Sequence, residues 1–437
     1  MIYLLLLVSF VLLGIDFYKW RSLIRPNIIF LLSFILASSI MMVNQKNWDV
    51  VLSNRFMIYT LTAILSFYIG TLVIDYFNVR KKSLVISESS KDGSLFIMAS
   101  PSKLLFWIAI IAMIFYVLLI FRGIQLSTDF SFMLRQIYDR NVEHSGSNTF
   151  IVNQLVKILT AIANISFFQF LLDKYVVKTG KSQLTHFVVI IIFLLMAAIS
   201  TDRNILLRFF IYCVVLWILF FTATNKGKIT RAHFRLLAKL AFYVVLAVGI
   251  FYIFGKLKGY KSDFSRAISL YGGSGLYNFN LYLNESPPID YKFGLVTFRS
   301  FLGVLGRLGI ESLVHKGSVF SEFIIYTSKT GFVYESNIYS AMRPFVEDFG
   351  YFGMVIFPFI MGLFFETLYS WTRKSQYMFS WIFYALTIYP LAYFTILEQF
   401  FNRFHLGSLY EIGWVAIFYW YIRRIRVYLK EEINEGK

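Results

Sequence analysis

The chain has 437 residues, of which 58% are hydrophobic and only 15% charged, with aromatic side chains alone making up 20%. Soluble domains are about half apolar and a quarter charged, so this composition excludes a soluble enzyme and predicts a polytopic membrane protein. The formal charge of +18, from 42 Lys and Arg against 24 Asp and Glu, lies between long apolar runs, which points to membrane phosphates and anionic lipids and not to nucleic acid.

Apolar stretches of spanning length run roughly over 1–17, 27–43, 56–76, 104–121, 150–172, 186–200, 205–221, 240–254, 352–371, 378–397 and 409–421. The expected fold is an all-α integral membrane protein of about eleven transmembrane helices. The first stretch has no basic residues ahead of it and no small-residue cleavage pattern after it, so it reads as a retained span and not a signal peptide. Cys213, the single cysteine, falls inside an apolar run and allows neither an internal disulfide nor a cysteine metal site. Alternate connections are basic: Lys19, Arg21 and Arg25; Arg80, Lys81 and Lys82; Lys174, Lys178 and Lys181; Lys226, Lys228, Arg231 and Arg235; Arg373 and Lys374; and a tail with Arg423, Arg424 and Arg426. Positive connections stay in the cytoplasm, which places the N-terminus outside and the C-terminus inside.

Two outer segments, 122–148 and 255–351, are longer than ordinary connections, the second by a wide margin. They divide the chain into helices one to eight (1–254), a large outer loop (255–351), and helices nine to eleven with a basic cytoplasmic tail (352–437). Within the loop, "FGLVTFRSFLGVLGRLGI" (293–310) has helical periodicity interrupted by Arg299 and Arg307; it is short for a span and predicts an amphipathic interfacial or re-entrant helix. The preceding "NESPPID" (284–290) predicts a turn.

Charged residues inside or beside the spans need a reason to be there. In "AAISTDRNILLRFF" (197–210), Thr201 or Asp202 can cap a helix that starts near Asn204, with Arg203 in the same outer hairpin. Arg208 lies about one turn inside that helix, where an arginine costs roughly 2.5–3.5 kcal/mol unless it faces a cavity, finds a partner or snorkels out. Lys157 repeats the situation in the fifth helix, so an anion-holding cavity open to the outside is expected. The outer segments add Arg135, Arg140, Arg299, Arg307, Arg343 and Arg403, whose planar forks suit phosphate oxygens. Glu347 and Asp348 in "RPFVEDFGYFG" (343–353) either complement the positive end of the ninth helix or supply a general base. His405 shares the hairpin "EQFFNRFHLGS" (398–408) with Glu398, Asn402 and Arg403, and the remaining histidines have no metal-ligand spacing, so no metal is expected.

The long segment carries "LYGGSGLYNFNLYL" (270–283), "FGLVTFRSFLG" (293–303) and "ESNIYSAMRPFVEDFGYFGMVIFPFIMGLFFE" (335–366) in that order. This order resembles the bacterial oligosaccharide repeat-unit polymerases, the Wzy-type O-antigen and capsule polymerases. The resemblance implies a GT-C-like fold and a glycosyltransferase of the bacterial cytoplasmic membrane that acts at its outer face without cofactor or metal. Its substrates would be undecaprenyl-diphosphate-linked oligosaccharides, and its partners membrane lipids, a chain-length regulator and a flippase. Fixed guanidiniums can stabilise a diphosphate leaving group directly; Arg203, Arg208, Arg299 and Arg343 are the first candidates, with Arg135 and Arg140 next. Asp348 or Glu347 is the candidate base, with His405 or Glu398 behind them, and Tyr271, Tyr277 and Tyr339 are candidates for stacking on sugar rings.

A ligase that transfers the finished glycan would use the same donor chemistry, and only the motif order favours polymerisation. A lipid-glycan flippase would be expected to show repeated halves and broken midplane helices, which this sequence lacks. A structural or sensor protein would leave Arg208 and Lys157 without a purpose.

Overall fold

The computed structural model describes residues 1–77, 103–125, 127–142, 149–177, 184–200, 202–225, 229–257, 264–285, 291–309, 322–374, 378–403 and 405–435. The basic residues Arg80, Lys81, Lys82, Lys178, Lys181, Lys226 and Lys228, together with Thr201 and most of the turn expected at 284–290, lie outside them. The described chain runs α1 (Ile2–Trp20), α2 (Pro26–Val43), α3 (Asn54–Phe77), α4 (Lys103–Phe121), α5 (Phe130–Val142), α6 (Thr149–Leu172), α7 (Leu184–Ser200), α8 (Arg203–Thr224), α9 (Arg231–Leu257), α10 (Phe264–Glu285), α11 (Arg299–Arg307), β1 (Ile324–Thr327), β2 (Val333–Ser336), α12 (Met342–Lys374), α13 (Phe379–Thr387), α14 (Tyr389–Ala392) and α15 (Leu406–Glu435). Seven of these helices, α1, α2, α3, α4, α6, α8 and α12, are long and apolar enough to cross a membrane. α7 is apolar but shorter, and so is the stretch from Phe379 to Ala392.

Local chemistry explains where several helices begin and break. Pro26 opens α2, where its missing N–H costs nothing. Asp202 caps α8 by accepting from the amide of Asn204 at 2.9 Å, as the sequence suggests. The stretch expected to span 378–397 is interrupted at Ile388, immediately before α14, because Pro390 has no amide proton to continue the helical ladder. Inside α12, Gly350 adopts φ 57° and ψ −139°, a conformation without Cβ strain only for glycine, and kinks the helix one turn after Glu347. The amphipathic helix expected over 293–310 is confined to α11, because Phe293 and Gly294 have positive φ and 293–298 form turns.

Two units emerge from the contacts. The first comprises residues 1–82, 262–375 and 387–406, and the second 83–261, 376–386 and 407–437. In the first unit α3 and α12 form the most extensive helix pair, and they cross at glycines. A Cβ on Gly70 would lie 2.4 Å from the carbonyl oxygen of Phe359, and one on Gly362 would lie 2.3 Å from that of Phe67, so the two backbones touch. Phe30 and Phe67 stack beside this crossing with centroids 4.0 Å apart, and Phe394 meets Phe30 edge-on. The segment between α11 and α12 adds a β-hairpin that the sequence reading did not anticipate: β1 and β2 are antiparallel with Tyr326 opposite Tyr334. In the second unit α6 is buried along most of its length, with Phe167, Phe168 and Phe170 packed among rings from α7, α8 and α15.

Candidate functional site

In the first unit the segments between α10 and α12 hold one another through buried polar bonds. Asn278 of α10 donates to Ser336 Oγ at 3.2 Å and to the Ile338 carbonyl at 2.7 Å, and accepts from the Tyr334 hydroxyl at 2.6 Å. Ser274 meets Ser336 at 2.8 Å, and the Ser340 amide donates to the Gly275 carbonyl. The hairpin is tied in turn to the loop after α2, where Tyr277 and Tyr326 both donate to the Trp48 carbonyl and Asp49 accepts from the Lys329 amide. Every one of these polar groups is satisfied inside the unit, so α10 and the stretch 336–340 are fixed relative to each other.

The first turns of α12 carry the charges. Arg343 is buried and donates from Nε to Glu347 Oε1 at 2.9 Å, while a terminal nitrogen lies 3.7 Å from Glu322 Oε2. Its guanidinium also lies over the rings of Tyr339, at 4.0 Å, and Tyr282, at 4.8 Å. Lys292 Nζ stands 3.8 Å from Glu347 Oε2. Two members of the group open to solvent: Glu322 is 80% exposed in its side chain and Lys292 47%.

Asp348 has a different job from its neighbour. Fully buried, it accepts from the amides of Val296 at 3.2 Å and Thr297 at 2.5 Å, one at each carboxylate oxygen. Carbonyls of Glu347 and Asp348 accept from the amides of Lys292 and Phe293. The "FGLVTF" turn is thus clamped onto α12 by one carboxylate and two carbonyls, and this clamp places Lys292 against Glu347. Arg299 opens α11 half-buried, without an ion pair among the described residues, and the side chain of Arg307 lies outside the description.

A second polar turn adjoins α11. Ser300 donates to Asn402 Oδ1 at 3.0 Å and Phe298 packs edge-on against Phe401. Glu398 is buried and its carboxylate accepts from the amides of Phe400, Phe401 and Asn402 at 2.6, 2.7 and 3.0 Å. Burial pushes its carboxyl up to about 7, against the opposing pull of those three amides. Arg403 lies over the Tyr389 ring at 4.6 Å, and His405 is exposed. Of the tyrosines singled out for sugar stacking, Tyr277 is buried with its hydroxyl bonded to Trp48, Tyr339 lies beneath Arg343, and Tyr271 is exposed.

The second unit holds the other predicted cations. Arg208 Nη1 lies 3.6 Å from Glu411 Oε2, and Lys157 Nζ lies over the Tyr410 ring at 5.4 Å, so the two intramembrane cations share a neighbourhood on α15. Arg140 donates to the carbonyls of Arg122 and Ile120, where it caps the end of α4 and is thereby drawn into the fold. Arg135 is exposed on α5. Arg203 is the first residue of α8, and its side chain lies outside the description.

Sequence reasoning overlooked a third charged group. Asp16, Asp75 and Glu366, each inside an apolar stretch, converge on Arg25 in the first unit. Isolated acids in hydrophobic runs were the available signal. Comparison with protein families, with curated proteins and with solved structures gives no match for the chain.

Proposed function

We propose that the chain polymerises lipid-linked oligosaccharide repeat units into a surface polysaccharide by glycosyl transfer at the outer face of a bacterial cytoplasmic membrane. The reading includes eleven spans, an external N-terminus and a cytoplasmic C-terminus. One observation carries it: the segments that hold the resemblance, 270–283, 293–303 and the first part of 335–366, are separate in sequence yet bonded together around the Arg343–Glu347 pair. A motif order alone does not require that.

In this reading the donor's diphosphate enters at the exposed rim formed by Lys292 and Glu322, displaces the Glu322 carboxylate from Arg343 and draws Lys292 towards itself. An acceptor sugar hydroxyl attacks the anomeric carbon, and the carbon–oxygen bond to the diphosphate breaks with its electron pair leaving on phosphate oxygen. Arg343 and Lys292 stabilise that charge from positions set before the reaction begins. Glu347 Oε2, released by Lys292, accepts the hydroxyl proton. Asp348, with both oxygens on backbone amides, positions the turn that bears Lys292 and does not exchange protons. Arg208 with Lys157, and Arg203 beside it in sequence, forms a separate group of cations in the second unit that suits a lipid diphosphate.

Deleting the gene in its host and sizing the surface glycan tests the assignment. Polymerase loss leaves single exported repeat units. Complete long chains retained on the lipid carrier would instead assign a ligase, and single units confined to the cytoplasmic leaflet a flippase. The orientation is checked by single cysteines at Asn284 and Gly227 in a Cys213→Ser background: an impermeant thiol reagent should label only the first in intact cells.

A further inference from the structure

We infer that the buried cluster of Asp16, Asp75 and Glu366 around Arg25 is a proton-binding site, with one proton held between Asp75 and Glu366. The inference does not rest on glycosyl transfer and concerns a different end of the α12 helix.

Arg25 is fully buried at the start of α2, and each part of its guanidinium meets a different acid. Nη1 donates to Asp16 of α1, Nη2 to Asp75 of α3, and Nε to Glu366 of α12 at 3.2 Å. The Trp20 ring covers the guanidinium at 4.4 Å. Asn27 of α2 donates to Asp16 Oδ1 at 2.9 Å and accepts from Thr71 of α3 at 3.0 Å. Other titratable or charged groups facing the cluster are Lys19 on α1, Tyr68 on α3, and Tyr369 and Arg373 on α12; Tyr369 donates to Ser22 and lies under Arg373. Lys19 is exposed and lies against Trp20, so no second cation pairs directly with the three acids among the described residues.

The charge arithmetic is unequal. Fully ionised, the cluster would carry three negative charges against one positive charge with almost no access to water, and uncompensated buried charge is the most expensive arrangement a membrane protein can hold. Two observations show where protons reduce it. Asp75 and Glu366 take the neighbouring nitrogens Nη2 and Nε of one guanidinium edge, which brings their carboxyls side by side, and two carboxylates without a proton have only acceptors to offer each other. Independently, Asp16 Oδ2 is buried with no hydrogen-bond partner, leaving an acceptor for a second proton within the same cluster. The Arg25 fork explains why the acids gather, and the proton explains how Asp75 and Glu366 tolerate each other.

Infrared difference spectroscopy on the purified chain in lipid nanodiscs reads the proton directly. At pH 7 in D2O the wild type should show the carbonyl stretch of a protonated carboxyl that Asp75→Asn/Glu366→Gln lacks; Glu398 contributes equally to both and cancels. The melting midpoint of the wild type should also fall more steeply between pH 6 and 9 than that of the double variant, since each proton released on unfolding weakens the folded state by up to about tenfold per pH unit. Identical infrared bands, or parallel pH dependences, would overturn the inference. Should the double variant not fold, Asp75→Asn alone, which keeps Glu366 for Arg25, carries the same two outcomes.

Discussion

Arg343 and Glu347 stand one helical turn apart on α12 and are joined from Nε to Oε1 at 2.9 Å, with the guanidinium plane also resting on Tyr339. The pair therefore uses one edge and one face of the arginine, and its outer edge is left to the exposed carboxylate of Glu322. Lysine cannot reproduce a bond at Nε, a ring contact and a second hydrogen-bonding edge together. Arg343→Lys should lower chain extension about a hundredfold at unchanged abundance in the membrane, measured by sizing the glycan. Glu322→Gln removes only the competitor for that edge and should lower the KM for the lipid-linked donor. Normal chains from Arg343→Lys would detach this group from the reaction.

Asp348 tests the difference between a chemical and a positioning role. Asp348→Asn keeps the size but turns one acceptor oxygen into a donor facing a backbone amide, leaving a buried clash at Val296 or Thr297. A loss on the order of 1–3 kcal/mol in stability is expected, seen as a lower melting temperature in detergent. Activity should decline in proportion to misplacement of Lys292 and retain the wild-type pH profile. A shifted pH profile would instead make Asp348 the proton acceptor.

Glu398 makes stability depend on pH. Its carboxyl is pushed up from 4.5 to about 7 in the folded chain, so the folded state binds the proton more tightly than the unfolded one. The stabilisation is fully present below about pH 4.5 and is lost as pH rises through 7, a span worth on the order of 3 kcal/mol. Melting curves between pH 5 and 8 should show the decline, and Glu398→Gln should flatten its share of it. An unchanged slope in that variant would rule out this residue as the source.

For the second unit the informative change is Arg208→Lys. Its guanidinium is paired with Glu411 at 3.6 Å, so the charge alone could be retained by lysine. If a lipid diphosphate uses the fork, chain extension should fall about a hundredfold while insertion stays normal. Glu411→Gln should act the other way and tighten binding of the lipid diphosphate. Near-normal polymer from Arg208→Lys would leave the pair as a structural contact between α8 and α15.

Much of the helical framework is legible from composition, because long apolar runs have few alternatives in a chain so poor in charge. Asp202 as a cap was readable for the same kind of reason, since its pattern is local. The hairpin of β1 and β2 was not, being two four-residue strands whose pairing depends on Asn278 and Trp48 far away in sequence. Nor was the clamp by Asp348: periodicity favours helix across 293–310, and the turn exists because a carboxylate 51 and 52 residues later takes its amides. Arg25 reads as part of a basic connection by its position, whereas its three acidic partners come from three separate helices. Patterns of hydrophobicity report which segments enter the membrane and are silent on which charged side chains will meet there.

The crossing of α3 and α12 at Gly70 and Gly362 limits how this chain can change length. Glu366 lies one turn beyond Gly362, and both must keep their bearing, one towards Phe67 and the other towards Arg25. A single residue inserted between Gly362 and Glu366 would rotate everything after it by about 100° and advance it by about 1.5 Å. Either the glycine would leave the crossing or the carboxyl would leave its arginine. Insertions and deletions in this part of α12 should therefore be far less tolerated than substitutions.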